Sequence, residues 1–120
     1  MLVHPQTRTQ DLRSALVARR DELHAEYATA VSDMTLSSMA ASGDDVADLG
    51  TKAFNREHEF ALAQSFRDRM DQVDRALERL AVGSYGICEG CSKEIPVARL
   101  AAFPSVTYCV GCKSRREGRY

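Results

Sequence analysis

Hydrophobic side chains recur every three or four residues along two long stretches of the chain, which predicts two amphipathic helices. The first stretch, from about Thr9 to Ala40, contains neither Gly nor Pro. The second runs from about Thr51 to Val82 and is followed by Gly83, a residue that favours a helix C-terminus. Each helix should therefore contain roughly 30 residues and extend over about 45–50 Å.

The apolar positions of each stretch form one stripe, so the two helices are expected to pack on each other. In the first helix they are Leu12, Leu16, Leu23, Tyr27, Ala30 and Met34, with an interruption at Arg19. In the second they are Leu62, Phe66, Arg69 or Met70, Val73, Leu77 and Leu80. Two helices of equal length joined by a short segment predict an antiparallel coiled-coil hairpin, and the alternating charges of RDRMDQVDRALER suit its solvated side.

The segment between the helices, SGDDVADLG (residues 42–50), carries Asp44, Asp45 and Asp48. Asp48 is a candidate N-cap of the second helix, just as TRTQ (residues 7–10) is a candidate capping box of the first and Gly43 its candidate stop. Two carboxylates ~6 Å apart in water repel by only about 0.7 kcal/mol. The charges alone therefore do not decide between capping and a functional role.

Composition limits the class of protein. The chain has 120 residues, 44% hydrophobic and 28% charged, as expected for one globular domain. The formal net charge is -1, whereas proteins that hold nucleic acid through its phosphates usually carry a surplus of basic residues. Non-specific DNA binding is therefore not expected. The polar N-terminus does not resemble a secretory signal and no apolar run is long enough to span a membrane, so we expect a cytoplasmic protein.

Four cysteines give the clearest chemical signal. CEGC (Cys88 and Cys91) is followed after 17 residues by CVGC (Cys109 and Cys112), a spacing typical of a structural zinc site. Gly90 and Gly111 would give each turn backbone freedom, and four thiolates complete a closed tetrahedron around one Zn²⁺. Disulfides would need an oxidising compartment, and a redox pair would need a βαβ setting; both remain weaker alternatives.

The cysteines divide the chain into two predicted parts. Residues 1–82 would form the hairpin, with an acidic tip at 42–50, and residues 83–120 the zinc module. KEIPVARL between the cysteine pairs is expected to supply a short strand, limited by Pro96. The basic tail KSRREGRY is compatible with contact to an acidic partner or a phosphate and equally with a solvated helix end.

Taken together, a helical hairpin, an acidic tip and C-x2-C-x17-C-x2-C resemble the DksA/TraR family of zinc-finger proteins. The resemblance covers most of the chain, and its most specific pieces are YGIC, EIP…RL and P…YCVGCK. The family carries D-x-x-D-x-A at its tip, where this chain has Asp45-Val-Ala-Asp48-Leu-Gly50. Gly50 thus replaces the family's Ala.

The resemblance implies a regulator whose hairpin enters the secondary channel of bacterial RNA polymerase, bringing Asp45, Asp48 and Gly50 near the active centre to modulate promoter complexes. It also implies basic contacts to polymerase or guanosine tetraphosphate, for which Lys113 and Arg69 are the candidates. The family's other basic positions on the second helix correspond to Ser65 and Gln72.

These observations lead us to expect a monomeric transcription regulator with one structural Zn²⁺. We expect no catalysis, because no nucleophile and base are paired and the zinc is closed. We also expect no sequence-specific DNA binding. The alternative hypothesis is a zinc-ribbon adaptor or DNA-binding module that acts through its basic tail.

Overall fold

The computed structural model describes the backbone of residues 5–39 and 46–118. Its helices are, in order, α1 (Pro5–Met39), α2 (Val46–Val82), α3 (Val97–Ala102) and α4 (Val110–Arg116). Within these two ranges β-pairing is limited to an antiparallel bridge between Ile87 and Glu94. The predicted fold class is confirmed: an antiparallel helical hairpin, a small four-cysteine module and a short C-terminal helix.

Both long helices begin earlier than their hydrophobic stripes predicted. α1 contains 35 residues and starts at Pro5, whose fixed φ suits the first position of a helix. TRTQ (residues 7–10) therefore lies inside α1, and the predicted capping box is wrong. α2 contains 37 residues and starts at Val46, so Asp48 is its third residue and not its N-cap. Gly43, the predicted stop of the first helix, lies outside the described residues.

The packed stripe of α1 follows the prediction, whereas that of α2 is displaced by one residue at two points, since Ala63 is buried in place of Leu62 and Ala76 is more buried than Leu77. Leu16, Leu23 and Ala30 are buried on α1. On α2 the buried positions are Ala63, Met70, Val73 and Ala76. Leu62, predicted to lie in the stripe, is 46% exposed because its neighbour Ala63 takes the inward position.

The chain divides into two compact units, each of which contains part of both long helices. The first combines residues up to Arg20 with residues from Asp71 onward, and the second spans Asp21–Met70. In the first unit Arg20 pairs with Asp74 across the two helices. Their side chains are 41% and 47% exposed, so this ion pair contributes only about 0–1 kcal/mol to stability.

The end of α2 sets the start of the cysteine module. Gly83 adopts a φ of 83°, and the N–H of Ser84 donates to the carbonyl of Arg79 at 2.9 Å. This pairing is the Schellman arrangement that closes a helix with a left-handed glycine. The predicted end of the second helix is therefore confirmed.

The segment between the cysteine pairs folds differently from its prediction. After the single bridge at Glu94, the carbonyl of Pro96 accepts from the N–H groups of Arg99 and Leu100 at 3.0 and 3.1 Å. Val97–Ala102 is therefore helix α3, and the predicted strand is reduced to one paired residue. Within the described parts of the chain, no helix combines the length and the apolar character needed to cross a bilayer.

Candidate metal centre

The first cysteine pair lies in a tight turn just after the bridge residue Ile87. The N–H of Gly90 donates to Sγ of Cys88 at 3.3 Å, and the N–H of Ser92 donates to the carbonyl of Cys88 at 3.0 Å. Ser92 adopts a φ of 62°, a left-handed conformation that reverses the chain. The N–H of Cys88 then donates to the carbonyl of Lys93 at 2.8 Å, which closes the turn.

The second cysteine pair lies at the beginning of helix α4. Cys109 is the N-cap, and its Sγ accepts from the N–H of Cys112 at 3.4 Å. A capping sulfur faces the N–H groups of the first helical turn, an environment that favours the thiolate form. The helix thereby holds both sulfurs of the pair at one end, with Cys112 buried.

The two glycines of the motifs have different roles. A Cβ atom at Gly90 would lie 2.9 Å from Sγ and 3.0 Å from Cβ of Cys112, so the first turn can approach the second only without a side chain. A Cβ atom at Gly111 would meet only Arg115, at an ordinary 3.7 Å. Backbone freedom, predicted for both, is required at neither, since neither residue has a positive φ. Gly90 is required for space.

The four sulfurs converge on one point. All four Sγ atoms lie within 4.8 Å of one another, and those of Cys91 and Cys109 are 3.9 Å apart. A tetrahedron with Zn–S distances of ~2.3 Å has S···S edges of about 3.8 Å, so the arrangement fits one zinc ion. None of the four cysteines is in a disulfide, which would require an S–S distance of about 2.05 Å.

The electrostatics of the cluster also call for a cation. Burial raises the pKa of the Cys88 thiol, but N–H donors from Cys109, Cys91 and Gly90 outweigh it and lower the pKa to about 6. The N–H of Cys112 lowers the pKa of Cys109. The hydrogen bond between the Cys112 thiol and the side chain of Cys109 in turn raises the pKa of Cys112 to about 12, and burial adds to the effect. A divalent ion removes this conflict, because it allows all four sulfurs to bind as thiolates.

The apolar core around the cysteines is small. Cys88, Ile95, Val106 and Cys112 form it, with Leu100 and Tyr108 packed against it. So few buried side chains cannot stabilise a module of this size by themselves. The free energy of metal binding, roughly 10–16 kcal/mol in small zinc peptides, therefore supplies most of what holds the module together.

Beside the cysteines, the first unit carries a basic groove of about 520 Å³. We define the basic groove by its four cationic side chains, Arg75, Arg99, Lys113 and Arg116. Arg116 lies over the ring of Tyr108, 4.6 Å from its centre, and Nε of Arg99 donates to the carbonyl of Tyr108 at 3.2 Å. Lys113, one of the two predicted basic contact residues, therefore lies in the same groove as three arginine side chains.

The other predicted contact and tip residues are placed as follows. Arg69 belongs to the second unit, exposed on α2 with its guanidinium 5.8 Å from the centre of the Phe66 ring. Gly50 is exposed within α2, and a Cβ atom there would meet nothing within 4 Å. Asp48 lies in the first turn of the same helix, and Asp45 lies outside the described residues.

Two side chains of α2 that the sequence did not mark as part of the metal site contact the module. Gln72 donates to Ser105 and Thr107, and Arg79 donates to Ile87. Both carry ordinary polar side chains on a charged helix, so nothing in the pattern distinguishes them from solvated residues. Only the fold shows that they face the segments next to the cysteines.

Comparison with known proteins agrees with this geometry. Residues 83–118 match the family model of the prokaryotic dksA/traR C4-type zinc finger. The RNA polymerase-binding transcription factor DksA of Caulobacter vibrioides is 34% identical over 111 residues, which cover 89% of this chain and 74% of that protein. An uncharacterized protein of Aquifex aeolicus is 37% identical over 79 residues, 63% of this chain. The match takes in 54% of the Aquifex protein, so the chain spans about half the length of that relative.

A solved structure shares the architecture. Transcription factor DksA2 from Pseudomonas aeruginosa superposes with a TM-score of 0.76 at 29% identity, over 95% of this chain and 86% of that one. The match therefore includes both long helices as well as the cysteine module.

Proposed function

The chain belongs to the DksA/TraR family of C4-type zinc-finger proteins, and we propose on this basis that it binds bacterial RNA polymerase and regulates transcription. The observation that carries the proposal is the similarity to a DksA named for binding RNA polymerase, which extends over 89% of this chain. The hairpin and the cysteine module are both included in that length.

In this proposal the hairpin enters the secondary channel of the polymerase and the segment 42–50 lies at its leading end. Asp45 and Asp48 are the acting residues, since carboxylates can contact basic elements there or perturb a magnesium ion, which prefers oxygen ligands. Gly50 sets the local stiffness of α2 behind them. The output is a shifted balance among promoter complexes, without any reaction performed by this chain.

The zinc ion has a structural role in the proposal. Cys88, Cys91, Cys109 and Cys112 would hold it, and four protein ligands leave no position for a water molecule or a substrate. The ion supplies cohesion to the module, and the module presents the basic groove, which Gln72 and Arg75 of α2 also line. We propose that Zn²⁺ has no catalytic part.

We propose Lys113 and Arg69 as contacts to polymerase or to guanosine tetraphosphate. The observation in favour of an anionic ligand is that Lys113 shares the basic groove with three arginines. Gln72, where the family has a basic residue, lines the same groove but donates its amide to Ser105 and Thr107. A response to guanosine tetraphosphate would therefore depend on the remaining cations. Calorimetric titration of the polymerase complex with guanosine tetraphosphate measures this binding.

Retention of polymerase by the immobilised full chain tests the proposal against the adaptor or DNA-binding alternative. Purified core polymerase should bind the parent and also Asp45→Asn/Asp48→Asn with similar affinity. Lys113→Ala/Arg116→Ala removes two basic side chains beside the metal site and should weaken binding only partly. If polymerase is not retained while duplex DNA is, and this double alanine variant abolishes DNA retention, the alternative is correct.

A further inference from the structure

Gln72 connects α2 to the segment that precedes the second cysteine pair. Its Nε2 donates to the carbonyl of Ser105 at 2.8 Å and to Oγ1 of Thr107 at 2.9 Å. An amide nitrogen carries two hydrogens, so both bonds can form at once. Thr107 is 2% exposed and lies two residues before Cys109.

Arg79 makes the corresponding connection to the first cysteine pair. It lies seven residues after Gln72, two turns further along the same helix. Its NH2 donates to the carbonyl of Ile87 at 2.9 Å, and its NH1 is 3.9 Å from Oε1 of Glu89. Ile87 and Glu89 are the two chain neighbours of Cys88. The Arg79 side chain is only 22% exposed, so water screens these contacts incompletely.

The two cysteine pairs are also joined to each other through the same residues. The N–H of Glu89 donates to the carbonyl of Thr107 at 2.8 Å, and the N–H of Cys109 donates to Sγ of Cys88 at 3.3 Å. Thr107 therefore bonds α2 with its side chain and the first cysteine turn with its backbone. The acceptors that α2 uses therefore lie on two segments that are hydrogen-bonded to each other next to the cysteine pairs.

We propose that Gln72 and Arg79 are positioning residues of the metal centre, which couple metal binding to docking of the cysteine module on α2. A bound ion holds the two pairs together and so fixes the acceptors that face α2. Conversely, a docked module presents four sulfurs that are already convergent, so less chain entropy is lost when the ion binds. Coupling of this kind is reciprocal, and each event strengthens the other by the same factor. The proposal concerns this chain alone and does not require that it binds polymerase.

Zinc affinity of the full chain, measured by competition with a chromophoric chelator, tests the coupling. Gln72→Glu keeps the shape of the side chain but removes both donors, so that a carboxylate faces the carbonyl oxygen of Ser105 and can keep only a bond donated by the Thr107 hydroxyl. We expect zinc affinity to fall about 10-fold or more, as is typical when a partner outside the ligand shell is lost. Arg79→Met, which retains the apolar stem, should lower it similarly.

The matched control is Gln64→Glu, the same chemical change on the same helix. Gln64 is exposed and donates to Asp68 at 3.0 Å, one turn along α2. Its substitution should leave zinc affinity within a factor of two of the parent. A fall as large as that of Gln72→Glu would assign the effect to added negative charge and overturn the proposal.

Thermal unfolding with and without zinc separates coupling from a general loss of stability. Coupling requires that Gln72→Glu lowers the melting temperature more in the zinc-loaded chain than in the metal-free chain. Amide hydrogen exchange between Ser105 and Cys109 should also be faster in the zinc-loaded variant. Equal lowering of both melting temperatures, or parental zinc affinity in Gln72→Glu and Arg79→Met, would overturn the proposal.

If Gln72→Glu does not fold, Thr107→Val decides the question, because it removes one acceptor and retains the shape of the buried side chain. We expect a smaller fall in zinc affinity, roughly 3- to 10-fold. The cobalt-substituted chain should keep the absorption bands of a tetrahedral four-sulfur site. Unchanged affinity in Thr107→Val would contradict the coupling.

Discussion

Gly90 leaves no room for a side chain, because a Cβ atom there would lie 2.9 Å from Sγ of Cys112. Cys112 is buried, so it has little space into which to retreat. Gly90→Ala should therefore force the two cysteine pairs apart and lower zinc affinity by at least 10-fold, as measured by chelator competition.

Gly111→Ala is the matched control at the equivalent position of the second motif. Its Cβ atom would meet Arg115 at 3.7 Å, an ordinary contact. Because Gly111 lies in helix α4, alanine should preserve zinc affinity and gain up to about 1 kcal/mol in helix propensity. Similar affinities for the two variants would show that the close approach at Gly90 is not required.

Removal of zinc should unfold the module and leave most of the helical signal. The small core around Ile95 and Val106 cannot replace the metal. Helices α3 and α4 contribute only 6 and 7 residues, against 35 and 37 in α1 and α2. We expect a chelator to abolish dispersed amide signals from residues 84–118 in NMR spectra while far-UV circular dichroism changes little.

Re-addition of Zn²⁺ should restore the signals, whereas Mg²⁺ should not. Dispersed signals that survive in the metal-free chain would contradict a metal-dependent module.

Two glycines of the α2 region should respond to alanine with opposite signs. Gly50 is exposed inside the helix with open space around it, so Gly50→Ala should raise the free energy of unfolding by roughly 1 kcal/mol. Gly83 has a φ of 83°, which alanine tolerates poorly, so Gly83→Ala should lower it by roughly 1 kcal/mol. Thermal and urea unfolding of the zinc-loaded variants measure both. A destabilising Gly50→Ala would mean that the first turns of α2 do not behave as a simple exposed helix.

The acidic segment is expected to act on regulation more than on binding. Asp45→Asn/Asp48→Asn removes two charges and changes almost no volume. The variant should therefore fold like the parent, and its affinity for polymerase should stay within about twofold of the parent's. In a purified transcription assay the variant should lose most of the effect that the parent has on promoter complexes. Parental regulation by the double variant would exclude these two residues as the acting groups.

Features that recur at a regular spacing could be predicted from the sequence, whereas features that depend on a single contact in the folded chain could not. The stripe of α1 was predicted because leucines such as Leu16 and Leu23 recur at helical spacing. On α2 the inward residue is Ala63, and a small apolar side chain beside Leu62 gives no sign that it is the buried one. The metal site formed by the four cysteines was predicted because binding of one zinc ion requires both this residue type and this spacing.

Helix starts were misplaced because a helix continues beyond its packed stripe wherever backbone hydrogen bonds can form. Pro5 and Val46 lie four or five residues before the predicted starts, where no apolar repeat marks them. Gln72 and Arg79 illustrate the second limit, since only the folded chain brings their donors to the cysteine turns. The predicted role of Asp45 and Asp48 stays a prediction.

Competition for the secondary channel is the most direct test of the central claim, that this hairpin acts inside RNA polymerase. The zinc-loaded chain, labelled away from its cysteines, would be titrated with purified bacterial core polymerase and then with an unlabelled protein known to occupy the secondary channel. We predict saturable binding that the competitor displaces completely. Binding that persists undiminished under saturating competitor, or no binding at all, would contradict the claim.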